Sequence, residues 1–229
     1  MNSLFQKNFL GIFLHTFWPM VSKAFSFYRI KFNNNRLPNL QGQTVIIVGT
    51  SPNVDLNILN NLDHSIISIG LHRVHGLYHQ TKWRPNLLFI GDELLLRKQS
   101  KELLNNQENK TQIILGSRFF VPIQNNNVSY INIIDVKDQI FNNLDLIQNT
   151  NNYFCGKSVV LLAMQYCIKN NVKKIILTGI DFSYEKGYFD KKINNIGLNK
   201  PEPIIAKNQL IAYIDICKRI GIDVEHSFN

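Results

Sequence analysis

Apolar residues along this chain fall into short unbroken runs, each closed by a glycine-led polar turn. Thr44-Val-Ile-Ile-Val48 is a continuous β-branched run, the pattern of a parallel strand covered on both faces. Gly49-Thr-Ser-Pro-Asn53 breaks it, and Val54 to Leu62 reads as a short helix. Ser65-Ile-Ile-Ser-Ile69 ends at Gly70, and Asn86-Leu-Leu-Phe-Ile90 ends at Gly91-Asp92. A helix is expected over 92–105, where Leu94, Leu95, Leu96, Leu103 and Leu104 recur. Gln112 to Leu115 and Val128 to Ile134 add strands. Ser158 to Lys169 reads as helix and Lys174 to Thr178 as strand, followed by Gly179-Ile-Asp-Phe182. Asn208 to Ile220 is the last helix, closed by Gly221, and Asp223 to His226 the last strand. This alternation predicts an α/β fold: one Rossmann-like, doubly wound, mostly parallel sheet, without internal repeats.

Ahead of it lies a different kind of segment, so the chain divides into 1–40, apolar and basic, and 41–229, the Rossmann-like domain. Phe9 to Val21 (FLGIFLHTFWPMV) is too short and interrupted for a bilayer span, which takes about 20 apolar residues. No small-residue cleavage site follows it, as a signal peptide requires. Wound as an amphipathic helix, it places Asn8, Gly11, His15, Pro19, Ser22 and Ser26 on one narrow stripe, with apolar residues over the rest. Pro19 should kink or split it. Trp18 and the neighbouring basic residues fit peripheral membrane contact through residues 4–31. The same face fits burial on the domain, or on a second copy in a homo-oligomer.

Charge sharpens this division. The net charge is +9, and Met1 to Val54 holds Lys7, Lys23, Arg29, Lys31 and Arg36 with no carboxylate before Asp55. Such a balance favours phosphate-rich partners or serves solubility. Nucleic acid is disfavoured, because the basic residues do not interleave with a recognisable DNA- or RNA-binding motif. Cys155, Cys167 and Cys217 form no C-x-x-C pair, which implies reduced thiols, no zinc site and a cytoplasmic location, extending to the inner face of the membrane. His75 and His79 could share a helix face as metal ligands, but no carboxylate or Cys joins them nearby, so no metal is assigned.

Doubly wound sheets bind ligands at the carboxyl ends of their strands, where strand order reverses. The loops at those ends are Gly49 to Asn53, Gly70 to Arg73, Gly91 to Glu93 and Gly179 to Tyr184. Glycine permits close backbone approach, and a following helix offers N–H groups to an anion. Candidate nucleotide-binding residues are Gly49, Thr50, Ser51, Pro52, Asn53, Gly70, Asp92, Ser158 and Gly179. The first loop lacks both G-x-G-x-x-G and the Walker pattern, so neither dinucleotide nor P-loop chemistry is supported.

Val45-Ile-Ile-Val-Gly-Thr-Ser-Pro-Asn53 resembles the nucleotide loop (V-I-I-x-G-x-x-P-S) of bacterial sialyltransferases of glycosyltransferase family 42. Lys173-Lys-Ile-Ile-Leu-Thr-Gly-Ile-Asp-Phe182 resembles that family's Y-K-E-I-Y-L-[ST]-G-I-D-F segment, and Asp181 to Asp190 its D-F-Y…Y-A-F-D stretch. Lys207-Asn208 matches a family K-N pair. The resemblance implies transfer of a sialic-acid-like sugar from a CMP-sugar donor to a lipid-linked or cell-surface glycan such as lipopolysaccharide or capsule, with no cofactor required. It makes Tyr184 and Tyr188 the phenols that hold the phosphate of departing CMP. Two positions depart from the family. Ile205 stands where its general-base histidine lies, two residues before the K-N pair, and no histidine occurs between His79 and His226. The family's C-N-Q asparagine falls near Leu71-His72.

The segment from Gly156-Lys-Ser-Val159 to Tyr184 also resembles motility-associated glycosyltransferases and MptE-like 6-hydroxymethylpterin diphosphokinases (G-G-S-V…I-I-L-x-G-x-D-L-x-Y), with Lys157 replacing the second glycine. That resemblance implies ATP and Mg²⁺ acting on a small alcohol, with Asp92 and Asp181 converging on the metal, or a non-catalytic nucleotide-binding homologue. Sugar transfer requires stabilisation of the leaving phosphate and a base for the acceptor hydroxyl. The candidates for catalysis are Asp181, Tyr184, Tyr188 and His72, with Glu185 and Asp92 behind them as bases. Asp181 could instead cap the neighbouring loop, Asp92 could cap its helix, and the tyrosines could serve as core or lid.

Overall fold

The computed structural model describes residues 37–91, 111–116, 127–135, 143–182 and 203–226. Among them eight strands form one sheet in the order β6-β5-β4-β3-β2-β1-β7-β8, with every neighbouring pair parallel. The strands are β1 (Thr44–Val48), β2 (Ile67–Leu71), β3 (Leu87–Ile90), β4 (Gln112–Gly116), β5 (Val128–Asp135), β6 (Asn152–Cys155), β7 (Lys174–Thr178) and β8 (Asp223–His226). The chain steps outward from β1 to β6 on one side. It then returns past β1 to lay down β7 and β8 on the other, so strand order reverses between β1 and β7. The sheet is the expected doubly wound one, and parallel throughout.

Complete burial explains why β1 carries no polar residue between its ends. Its Val45 and Ile47 belong to one core and its Ile46 and Val48 to the other. The first core is filled by α3 (Val160–Lys169) and α4 (Pro203–Arg219), following the short helices α1 (Leu56–Asn60) and α2 (Leu144–Gln148) in chain order. On the opposite face lie Leu59 of α1, Val74 and Leu77 of a 3₁₀ turn (Val74–Leu77), and Trp83. β8 closes the sheet as an exposed edge. There Lys174 pairs with Asp223 and Glu225, and charge on both members discourages further strand pairing.

Several boundaries differ from those the sequence suggests. Asn152–Cys155 forms a strand, β6, that no apolar run announces; the Asn132 side-chain amide donates to Asn152 Oδ1 across the pair. The last helix begins at Pro203, ahead of Asn208, with proline at the first helical position where its missing N–H has no intrahelical role. The 3₁₀ turn ends at Leu77, so His75 and His79 do not share a helix face, and His79 is hydrogen-bonded to the adjacent Gln80. No described helix is long and apolar enough to cross a membrane. The segment 1–36 and the expected helix over 92–105 lie outside the described residues.

Candidate functional site

β1 and β7 run in register, Val48 opposite Thr178, so the turns that follow them leave the sheet side by side. The contact between those turns is backbone on backbone. Gly49 N–H donates to Thr178 O (2.9 Å) and Ser51 N–H to Gly179 O (2.9 Å). A Cβ at Gly49 would fall 2.2 Å from Gly179 O, so only glycine fits there. Gly179 has φ +63°, and a Cβ on it would come within 2.9 Å of Val54 Cβ. Two glycines separated by 130 positions in sequence are therefore mutually required.

Onto this junction the sequence places three polar side chains. The Ser51 hydroxyl donates to Asp181 Oδ2 at 2.6 Å, and Asn53 Nδ2 donates to the same oxygen at 2.8 Å. Ser51 Oγ also accepts the Asn53 N–H at 3.2 Å, which closes a tight turn across Pro52. Thr178 Oγ1 accepts the Asp55 N–H (3.2 Å), and Asp55 caps α1 by accepting from Asn57 and Ile58. Ser51 is buried, Thr50 and Asp181 are half-buried, and Pro52 and Asn53 are exposed. One carboxylate thus ties the first loop to the last, while the rim of the junction faces solvent.

Beside this junction, β2 ends at Gly70 and Leu71, and a Cβ on Gly70 would strike Val74 Cγ2 at 2.6 Å. His72 follows in the left-handed region, φ 50°, its N–H bonded to Phe89 O (2.9 Å). Its Nε2 accepts the Gly91 N–H at 3.2 Å, which puts the ring proton of the neutral form on Nδ1. The lone pair that a general base would use is directed at the backbone of β3's end. Arg73, beside it, is buried at 4% exposure. A Cβ on Gly91 would touch Val159 at 3.2 Å, so the start of α3 packs against the end of β3. Ser158 lies one residue before the α3 cap, Val159, and its carbonyl accepts the Leu161 N–H.

The candidates divide accordingly. Gly49, Ser51, Asn53, Gly179 and Asp181 meet directly. Gly70 and His72 stand on the neighbouring strand end, and Ser158 adjoins the next one, at β3. Asp92, Tyr184, Tyr188 and Glu185 lie outside the described residues, so the convergence of Asp92 and Asp181 is not described. Among the described residues no group of three His, Cys, Asp or Glu could hold a metal ion. Gln209, which motif reading passes over, is 6% exposed on α4 and accepts the Lys157 N–H at 2.9 Å. A polar residue in phase with Tyr213 and Ile216, one turn and two turns on, was the available signal.

Fold and contacts together define a doubly wound α/β protein whose strand-end loops are locked at the reversal of strand order, where such sheets hold ligands. No protein-family model matches the chain, and no curated protein matches it. Among solved structures it is similar to the sialyltransferase CST-II in complex with a trisaccharide acceptor and CMP, at 19% identity over 80% of each chain, TM-score 0.47. It is similar to the monofunctional alpha-2,3-sialyltransferase Cst-I from Campylobacter jejuni, at 16% identity over 80% of this chain and 74% of that one, TM-score 0.44. An alpha-2,3-sialyltransferase from the same organism in apo form shares 18% identity over 82% and 79%, TM-score 0.45.

Proposed function

We propose that this chain is a glycosyltransferase that takes a sialic-acid-like sugar from a CMP-sugar and passes it to a glycan acceptor. The observation that carries the reading is the junction of the turns after β1 and β7. The two segments that resemble the sialyltransferase family, 45–53 and 173–182, come together at the strand-order reversal through Gly49, Gly179, Ser51 and Asp181.

In this reading Thr50 and Ser158 receive the phosphate of the nucleotide, and Tyr184 and Tyr188 donate phenol hydrogen bonds as charge develops on the leaving group. Asp181 acts chiefly as an organiser. Its Oδ2 draws Ser51 and Asn53 into one conformation, so the loop is shaped before the ligand arrives. His72 holds the end of β3 through Gly91. A CMP leaving group stabilised by such donors needs no metal. The apolar, basic segment 4–31 is assigned to the inner membrane face, where lipid-linked acceptors reside.

Isothermal titration of the full chain with CMP, followed by a transfer assay with CMP-sugar, tests the reading. Saturable CMP binding without added divalent metal is expected. Absence of binding at millimolar CMP would refute it, and binding of ATP only with Mg²⁺ would move the assignment to the diphosphokinase-like class.

A further inference from the structure

We infer that Gln209 is a positioning residue of the nucleotide site, holding the turn that carries Ser158. The inference rests on the nucleotide-binding reading above and deepens it. That turn, Gly156 to Ser158, links β6 to α3, and two side-chain amides from the helices pin it at either end. On the β6 side, Gln165, fully buried on α3, accepts the Phe154 N–H at 2.9 Å and donates through Nε2 to the Tyr213 hydroxyl of α4. On the α3 side, Gln209 accepts the Lys157 N–H at 2.9 Å, across 52 positions of sequence. Gln209 and Tyr213 are four residues apart, on the same face of α4.

The held turn feeds directly into the site. Val159, immediately after Ser158, packs on Gly91 at the end of β3, and the Gly91 N–H is held by His72. The position of α4 is thereby transmitted to Ser158. A non-polar group at 209 would leave the Lys157 N–H either unpartnered or turned outward to water, and outward movement carries Ser158 away from β3. Gln209 makes no contact with the reacting atoms in this account. It acts through the turn.

The test uses the full chain and CMP as the probe. Gln209→Met keeps the shape and removes the acceptor; Gln209→Glu keeps an acceptor; Cys217→Ala opens the buried face of the same helix two turns away. Gln209→Met is expected to weaken CMP binding about tenfold, the equivalent of one hydrogen bond, and to speed amide exchange at Lys157. Gln209→Glu should hold affinity within about threefold of the parent, and Cys217→Ala should lower the melting temperature while leaving CMP affinity unchanged. If Gln209→Met does not fold, Gln209→Asn, which withdraws the oxygen by one methylene, gives the same reading. Parental CMP affinity in Gln209→Met or Gln209→Asn overturns the inference alone. So does an equal loss of affinity in Cys217→Ala, which would make the effect one of general stability. Failure of the parent chain to bind CMP overturns the nucleotide reading itself.

Discussion

Replacing Gly49 by alanine adds a single methyl group at the point where the β1 and β7 turns touch. That methyl would sit 2.2 Å from Gly179 O and 2.9 Å from both Gly179 C and Ile180 Cγ1. Relief requires the two turns to part by about 1 Å, given that carbon and oxygen rest near 3.2 Å or beyond. The carbonyl being pushed is the acceptor for Ser51 N–H, so its movement breaks that bond and displaces Ser51 and Asn53 from Asp181. Overpacking alone costs about 1–3 kcal/mol, and each lost hydrogen bond adds about 1 kcal/mol or more. A total of about 3–5 kcal/mol follows, which at about 2–4 °C per kcal/mol for this chain length lowers the melting temperature by about 6–20 °C. Gly42 supplies the control, since its φ is +70° but nothing lies within 4 Å of an added Cβ. Gly42→Ala should show only the left-handed backbone penalty, about 1 kcal/mol. Gly179→Ala, with φ +63° and a 2.9 Å contact, should fall between the two. Urea denaturation ranks the three variants, and CMP titration of whatever stays folded reports on the site. A Gly49→Ala chain that melts within about 2 °C of the parent, or no less stably than Gly42→Ala, would refute the close approach.

Three further outcomes are expected. Ser51→Ala and Asp181→Asn should each destabilise by about 1–2 kcal/mol and weaken CMP binding; the double variant should be less costly than their sum by about 1 kcal/mol, and strict additivity in urea denaturation would mean that the two side chains do not act together. Ile205→His places an imidazole on the half-buried first turn of α4, near exposed Lys207 and Asn208; because a placed base contributes about 10²–10⁴-fold, transfer should rise at least about tenfold above pH about 6.5, and an unchanged rate with CMP affinity intact would count against a sialyltransferase-like geometry. Burial pushes the Cys217 thiol up from 9.0 to about 12, and Cys167 in the same direction, with the Tyr153, Tyr166 and Tyr213 phenols also raised by burial. The stability these groups contribute is complete below their unfolded values and is lost as pH climbs past 9.0 toward the folded values, so unfolding free energy should fall steadily from pH 9 to 11, and a flat profile would contradict the buried thiols and phenols.

Most of the strands, and their parallel arrangement, were readable because buried parallel strands leave little choice of residue. Val45 to Val48 and Lys174 to Thr178 are β-branched or leucine-rich over most of their length, and each ends at a glycine that the packing demands. β6 was not readable, since Asn-Tyr-Phe-Cys is short and follows an asparagine-rich stretch. Its hydrogen bonds are dictated by β5 and by Gln165, which tertiary structure supplies and local pattern does not. Pro203 was a legible helix start that the following Ile204 and Ile205 obscured. Within the site, the glycines and polar residues could be listed from the loops alone. That Ser51 and Asn53 would share one oxygen of Asp181 could not, because the partners lie about 130 residues apart and meet only through the β1–β7 register.

This arrangement bears on how a proton could leave an acceptor hydroxyl. Asp181 follows its strand directly, where catalytic carboxylates of such sheets sit, yet its Oδ2 already accepts from two side chains. His72 has its Nε2 lone pair on the Gly91 N–H. A carboxylate carries lone pairs on both of its oxygens, so the two bonds to Oδ2 do not exclude Asp181 as a base, whereas the Nε2 lone pair of His72 is engaged by the Gly91 N–H. Through these atoms both groups fix loop conformation before binding.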